Sequence, residues 1–185
     1  SAVDTALWDL LGKSLGCPAA GLFGQCADAL PAYGSGGWLS YSEDQLGDEL
    51  SRYMAAGFRA VKVKIGGLSL DWDVARVRLA RQIVGPEVKL RVDANQALTV
   101  DRAIRTARQL EGLNVDWLEE PLPRADVGGY RQLAAATSIP LAAGEREYGL
   151  EPFDRLIEAR AIAVVQPDLL RVGGVTGWRA VAARA

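Results

Sequence analysis

Apolar positions along this chain recur with two different periods. Over residues 1–16, Val3, Leu7, Leu10, Leu11 and Leu15 return about every 3.6 residues, which predicts an amphipathic helix stopped by Gly16 and Pro18. Residues 17–30 read as a glycine-punctuated connection. Beyond them, short apolar runs alternate with longer helical stretches. The runs at 30–33, 60–65, 89–92, 115–118, 139–142 and 161–165 predict strands. The stretches at 42–56, 72–84, 99–110, 129–136 and 151–159 carry helical spacing. Alternation of this kind predicts βαβ units, and right-handed crossovers make the strands parallel.

The strand ends carry the chemistry. Five of the six runs end at or just before a charged residue, namely Lys64, Asp93, Glu119, Glu145 and Asp168, and the first run is followed by Ser35. Successive members of the series Ser35, Lys64, Asp93, Glu119, Glu145, Asp168 lie 29, 29, 26, 26 and 23 residues apart. An eight-unit (β/α)8 TIM barrel uses roughly 31 residues per unit, and its strand C-termini converge on one face that holds the active site. An open doubly wound sheet fits less well, because Gly34-Ser35-Gly36-Gly37 lacks the G-x-G-x-x-G spacing that opens a helix on a phosphate. The expected fold is therefore α/β, a partial TIM-barrel type of about six βα units. Residues 1–29 form a pre-barrel helix and linker, and residues 30–185 form the partial barrel.

Composition narrows the partners. A net charge of −2 gives no basic patch for nucleic acid, and no apolar run approaches the length of a membrane span. No signal peptide is visible at the N-terminus. Cys17 and Cys26 form neither a disulfide framework nor a zinc spacing, and read as free thiols of a cytoplasmic protein. Histidine is absent, which removes a Ser-His-Asp triad, a histidine-ligated metal and a histidine base from this chain. Carboxylates, lysines and a metal are left to do the chemistry.

Lys62 and Lys64 stand two apart in Val61-Lys62-Val63-Lys64-Ile65, so strand alternation sends both to the face opposite the apolar residues. Two ammoniums this close disfavour each other's charged form, which predicts a depressed lysine suited to general-base work. Asp93 and Asn95 share a face if their strand continues that far, one of Glu119 and Glu120 faces the pocket, and Glu145 follows the fifth run. Converging carboxylates repel unless a cation joins them. Oxygen donors without cysteine or histidine suit Mg²⁺, or Mn²⁺, above Zn²⁺. Trp38, after the first strand, is a candidate for lining the pocket, and Gly173-Gly174 is either a tight turn or a close approach to a ligand.

With these residues in hand, the chain resembles the enolase superfamily, in its mandelate racemase type. The resemblance rests on Ala2-Val3-Asp4-Thr5-Ala6-Leu7-Trp8-Asp9-Leu10, Lys62-Val63-Lys64, Val92-Asp93-Ala94-Asn95-Gln96 and Trp117-Leu118-Glu119-Glu120-Pro121. It continues through Ala143-Gly144-Glu145, Gln166-Pro167-Asp168 and Arg171-Val172-Gly173-Gly174-Val175-Thr176. It implies that Asp93, Glu119 and Glu145 ligate Mg²⁺, and that Lys64 takes the proton α to a carboxylate while Lys62 lowers its pKa. It also implies that Ser35 contacts substrate and that Asp168 orients a histidine on a seventh strand. Asn95 is added as a substrate contact. No lysine lies near Asp168, which favours the racemase type over the muconate-lactonizing type.

The resemblance also implies an N-terminal capping domain and two further strands, which these residues do not include. The chain therefore reads as a fragment, a partial gene product or an incompletely covered protein, expected to have little or no turnover alone. A homo-oligomer is expected, and two open sheet edges would need oligomerisation, domain swapping or the further strands. The implied chemistry is Mg²⁺-dependent formation of an enediolate from a small carboxylate substrate, most simply in an acid-sugar dehydratase, with a 2-hydroxy-acid racemase or epimerase as the alternative. Two rivals stand beside it: a catalytically incomplete metal-binding piece, and a barrel enzyme with a Schiff-base lysine, which leaves the three carboxylates unexplained.

Overall fold

Strand order follows chain order in the computed structural model, which describes all 185 residues. The six strands are β1 (Gly34–Ser35), β2 (Ala60–Lys64), β3 (Lys89–Asp93), β4 (Val115–Glu119), β5 (Leu141–Ala143) and β6 (Val164–Val165), arranged β1-β2-β3-β4-β5-β6 in one sheet. The pairings from β1 to β5 are parallel. Right-handed crossovers between the sequential parallel neighbours β1 to β5 place their connecting helices on the same face. This is the singly wound pattern of a TIM-barrel-type fold, with none of the order reversal that marks a doubly wound sheet.

Two compact units make up the chain. One comprises Ser1–Pro31, Gly144–Glu158 and Val165–Ala185, and the other Ala32–Ala143 and Ala159–Val164. The second holds most of the sheet with α3 (Glu43–Ala55), α4 (Leu70–Val84), α5 (Val100–Leu110) and α6 (Val127–Ala136). Each of these helices packs on the next, as helices on one face must. Val61, Val63, Leu90, Val92 and Leu118 of the strands and Leu46, Leu50, Val77 and Ala107 of the helices are all fully buried. Each such side chain contributes about 1.5–3 kcal/mol.

Helix starts follow local chemistry. Ser42 caps α3 in a capping box with Gln45, and Ser69, Thr99 and Asp126 cap α4, α5 and α6 through side-chain oxygens. Helices α4 and α6 start two residues before the hydrophobic period predicts, because Ser69 and Asp126 satisfy the first free N–H groups there.

The first strand differs from expectation. Residues 30–33 form no strand: Pro31 cannot donate to a ladder and Leu30 is 85% exposed. Pairing occurs instead at Gly34 and Ser35, opposite Val61 and Lys62. The glycines are needed for close packing rather than for phosphate. A Cβ on Gly34 would lie 2.5 Å from the Tyr53 ring, and one on Gly37 would lie 2.8 Å from the Val63 Cβ. Gly37 also has φ 59. Gly37→Ala is therefore expected to lose about 1–3 kcal/mol, read as a lower urea midpoint with an unchanged slope. Strand β5 begins one residue after Pro140, whose carbonyl still accepts the Leu118 N–H at 2.9 Å. Strand β6 is shortened to two residues.

The other unit contains α1 (Ala2–Leu15), α2 (Ala19–Leu22), α7 (Glu151–Glu158) and α8 (Gly174–Ala182). Its core is Phe153, Val172 and Val181, with Leu150, Ile157 and Val165 packed against them. Helix α1 forms as its period predicts, yet its stripe Val3, Leu7, Leu10, Leu11 and Leu15 stays exposed. Polar contacts tie α1 to α8: Thr176 donates to both Asp4 oxygens through its N–H and hydroxyl, and the Trp8 indole donates to the Thr176 hydroxyl. These bonds from Thr176 hold the Asp4 carboxyl below its ordinary pKa. Cys17 and Cys26 are both free. No helix is long and apolar enough to cross a membrane.

Candidate active site

The register of β2, β3 and β4 sets the site. Lys62 pairs with Arg91 and Arg91 with Trp117, while Lys64 pairs with Asp93 and Asp93 with Glu119. Side chains two apart on neighbouring strands therefore form two rows on the face away from the helices. The upper row is Lys64, Asp93 and Glu119. The lower row is Lys62, Arg91 and Trp117. A shift in register after Leu90 leaves Asp116 as an extra residue in β4. Its carboxylate accepts from Arg91 Nε at 2.9 Å, and the Arg91 guanidinium stacks 3.7 Å from the Trp117 ring centroid.

Asp93 and Glu119 are almost completely buried, at 1% and 0% exposure. Anions so placed need cations, and the two lysines supply them. Lys64 Nζ donates to Asp93 Oδ2 at 2.5 Å. Lys62 Nζ sits 3.4 Å from the same oxygen and donates to Glu119 Oε1. The remaining oxygens are also satisfied: Asp93 Oδ1 accepts the Asn95 N–H at 2.9 Å, and Glu119 Oε2 accepts the Trp117 indole N–H at 3.0 Å.

The expected depression by a neighbouring ammonium does not occur at Lys62. Burial alone would pull its pKa down. The Glu119 hydrogen bond and the charges of Glu119 and Asp93 outweigh burial and hold the ammonium above its ordinary value.

Glu119 is the glutamate of the pair that faces the lysines. Glu120, at φ 37, turns its carboxylate to Gln96 Nε2 at 3.2 Å. Asn95 does not continue the Asp93 face: β3 ends at Asp93, and Asn95 takes φ 43. Its observed contact is the main-chain bond to Asp93. Ser35 lies in register with Lys62, and its carbonyl accepts from the Tyr53 hydroxyl at 3.0 Å.

The remaining predicted residues belong to the other unit, where Glu145 follows β5. Gly144 before it has φ 129, and a Cβ there would lie 2.7 Å from the Phe153 ring, so only glycine fits. The Glu145 side chain is 38% exposed. Asp168 is engaged on both oxygens, by the Leu170 N–H at 2.7 Å and by Arg171 Nη1 at 2.9 Å. Arg171 Nη1 also donates to the Glu145 carbonyl at 2.7 Å. A hydrogen bond that Arg171 donates to the Tyr148 hydroxyl, with the charges of Asp168 and Glu145, holds its guanidinium above its ordinary pKa. Asp93 and Glu119 are thus gathered on one lysine, and no group of three carboxylates is assembled as a cage.

Period reading passed over three buried charged residues behind this site. Glu49, Asp73 and Arg76 are 8%, 0% and 6% exposed. A signal was present: each interrupts the apolar stripe of its helix, beside Leu46 and Leu50 in α3 and beside Val74 and Val77 in α4. Burial lowers the Arg76 guanidinium, and Asp73 and Glu49 oppose that shift.

Known proteins resemble this chain in sequence and in fold. The enolase C-terminal domain-like family matches residues 45–185. Arabinonate dehydratase of Saccharolobus solfataricus is 36% identical over 178 residues, which is 95% of this chain and 48% of that protein. A 3,6-anhydro-α-L-galactonate cycloisomerase of Streptomyces coelicolor is 38% identical over 185 residues, 100% of this chain and 51% of that protein. Among solved structures, L-talarate dehydratase of a Polaromonas species, complexed with Mg and L-glucarate, superposes with a TM-score of 0.96 at 37% identity, covering 100% of this chain and 52% of that one. The chain thus spans about half the length of the relatives it matches. It belongs to the enolase C-terminal domain-like family, of the mandelate racemase and muconate lactonizing enzyme type within the enolase superfamily.

Proposed function

We propose that this chain supplies the base and the metal-binding carboxylates of an enzyme that removes the proton α to the carboxylate of an acid sugar, and that loss of the β-hydroxyl follows. The observation that carries this reading is the upper row: Lys64 on Asp93 at 2.5 Å, with Glu119 beside it on the next strand end.

The donor set fits a hard divalent ion. Asp93 and Glu119 present carboxylate oxygens on adjacent strands, already drawn onto cationic nitrogen, and Glu145 follows on the next strand end as the third proposed ligand. Mg²⁺ held there supplies positive charge for the negative charge that gathers on the substrate carboxylate.

Lys64 accepts the α-proton at Nζ in its neutral form. Lys62 stays charged between Asp93 and Glu119 and holds both carboxylates in place. In dehydration, the electron pair left by the α-proton forms a carbon–carbon double bond as the β-hydroxyl departs. The hydroxyl takes a proton and leaves as water, and the enol becomes a 2-keto-3-deoxy acid. Asp168 orients the group that donates that proton, and Ser35 and Asn95 contact the substrate. Isomerisation is the second reading, favoured by the 38% identity to a cycloisomerase. In it the proton returns to the substrate and no water is lost.

A panel of acid sugars incubated with the full-length gene product and Mg²⁺ tests this reading. Keto-acid formation from at least one sugar is expected. Epimers, or ring-opened products isomeric with the sugar rather than lighter by one water, select the second reading, and no change in any sugar rejects both. Addition of EDTA is expected to abolish conversion.

A further inference from the structure

We propose that Arg76 is a positioning residue that locks the loop after β1 onto the end of β2, so that the Trp38 indole stays over the Lys64 ammonium as a wall of the substrate site. This rests on the reading of Lys64 as the base.

Arg76 lies on α4, 6% exposed, and spends its guanidinium on three main-chain carbonyls. Nη2 donates to Trp38 O at 2.5 Å, Nη1 to Tyr41 O at 3.3 Å and Nε to Lys64 O at 3.2 Å. The first two carbonyls belong to the loop and the third to the base itself. The Lys64 N–H donates in turn to Gly37 O at 3.1 Å. Both main-chain groups of Lys64 are therefore held, one by the loop directly and one through Arg76.

Neighbouring buried charges secure the two ends of this clamp. Glu49 Oε2 accepts the Gly37 N–H at 2.6 Å. Asp73 Oδ1 accepts the N–H groups of Gly66 and Gly67 at 2.9 and 3.0 Å, just beyond Lys64. Arg102 Nη2 pairs with the other Asp73 oxygen at 2.8 Å.

Stability alone does not account for a guanidinium here. An apolar side chain of similar volume would pack beside Trp72, one turn back on α4, without the desolvation that a buried charge suffers. A planar fork able to bond two chain segments at once is what arginine adds. What the fork holds in place is Trp38, 53% exposed although large and apolar, with Lys64 Nζ 5.6 Å from its ring centroid. An exposed indole fixed above a base shapes what reaches that base.

The test compares Arg76→Met and Arg76→Ala with the parent in the full-length gene product. In Arg76→Met, amide hydrogen exchange is expected to rise about tenfold or more at residues 37–41 and 64–67, while residues 115–119 and 141–143 stay within about twofold. With the acid sugar that the parent converts, kcat is expected to fall on the order of 100-fold with KM nearly unchanged, as misplacement of a reacting group produces. Added guanidinium is expected to restore part of kcat in Arg76→Ala, and added ethylammonium is not. Unchanged exchange, a uniform rise over the whole sheet, or an unaffected kcat overturns the proposal. Absence of turnover in the parent rejects the reading of Lys64 as base, and the exchange pattern then still decides whether Arg76 holds the loop to the strand.

Discussion

Glu119→Leu is expected to lose about 3–5 kcal/mol of folding stability, because it strips a buried ammonium of its nearest counter-charge. Lys62 is then left with Asp93 at 3.4 Å, an oxygen that Lys64 already occupies. Leucine matches the glutamate in size, so the loss reports charge rather than a cavity. Its pH dependence has a definite sign. Lys62 is raised in the folded state, so its pairing stabilises fully below the unfolded lysine value of about 10.4. That stabilisation is lost as pH rises through the higher folded value. The deficit of Glu119→Leu, measured by urea unfolding, should therefore be constant between about pH 6 and 9 and shrink only at strongly alkaline pH. A deficit that disappeared below about pH 9 would contradict the pairing. Calorimetry with Mg²⁺ gives an independent reading: Glu119→Gln should bind far more weakly, whereas Glu120→Gln, whose carboxylate meets Gln96, should bind as the parent does.

Lys64→Ala is expected to reduce turnover of the acid sugar by about 10²–10⁴-fold, the range of a positioned general base. Lys64→Arg should be as inactive, because a guanidinium keeps its proton at any working pH. Mg²⁺ affinity should survive both changes, since Asp93 and Glu119 remain. Near-parental turnover in Lys64→Ala would assign the proton to another residue.

The sheet and its charged strand ends were legible because both depend on period and alternation. Burying Val61, Val63 and Ile65 on one side leaves Lys62 and Lys64 on the other, and the same reasoning carries Arg91 and Asp93. It stopped working where local geometry overrides the pattern. Leu30 looked like a strand residue, but pairing moved to Gly34 and Ser35, because only glycine backbone approaches Tyr53 and Glu49 so closely. Alternation puts Asn95 on the Asp93 face only if the strand continues that far, and the strand ends at Asp93 itself.

The electrostatics of Lys62 were misjudged for a related reason. Its neighbour in sequence is a lysine, but its nearest partners are carboxylates on β3 and β4, which no spacing within β2 reveals. Glu49, Asp73 and Arg76 were passed over because a charged residue inside an apolar stripe carries meaning only once its main-chain partners are known. The resemblance supplied what period cannot, namely the roles proposed for Ser35 and Asp168, whereas Asp93, Glu119 and Glu145 already stand out as strand-end carboxylates that need a cation.

Loss of the α-proton with uptake of deuterium from solvent tests whether Lys64 removes that proton. The full-length gene product is incubated in D₂O with Mg²⁺ and each acid sugar, and the α-proton signal is followed by NMR. The signal of at least one sugar is expected to be lost with uptake of a single deuterium in substrate or product; EDTA is expected to stop this, and Lys64→Ala not to catalyse it. Retention of the α-proton through turnover, or exchange that continues unchanged in Lys64→Ala, would contradict proton removal by Lys64.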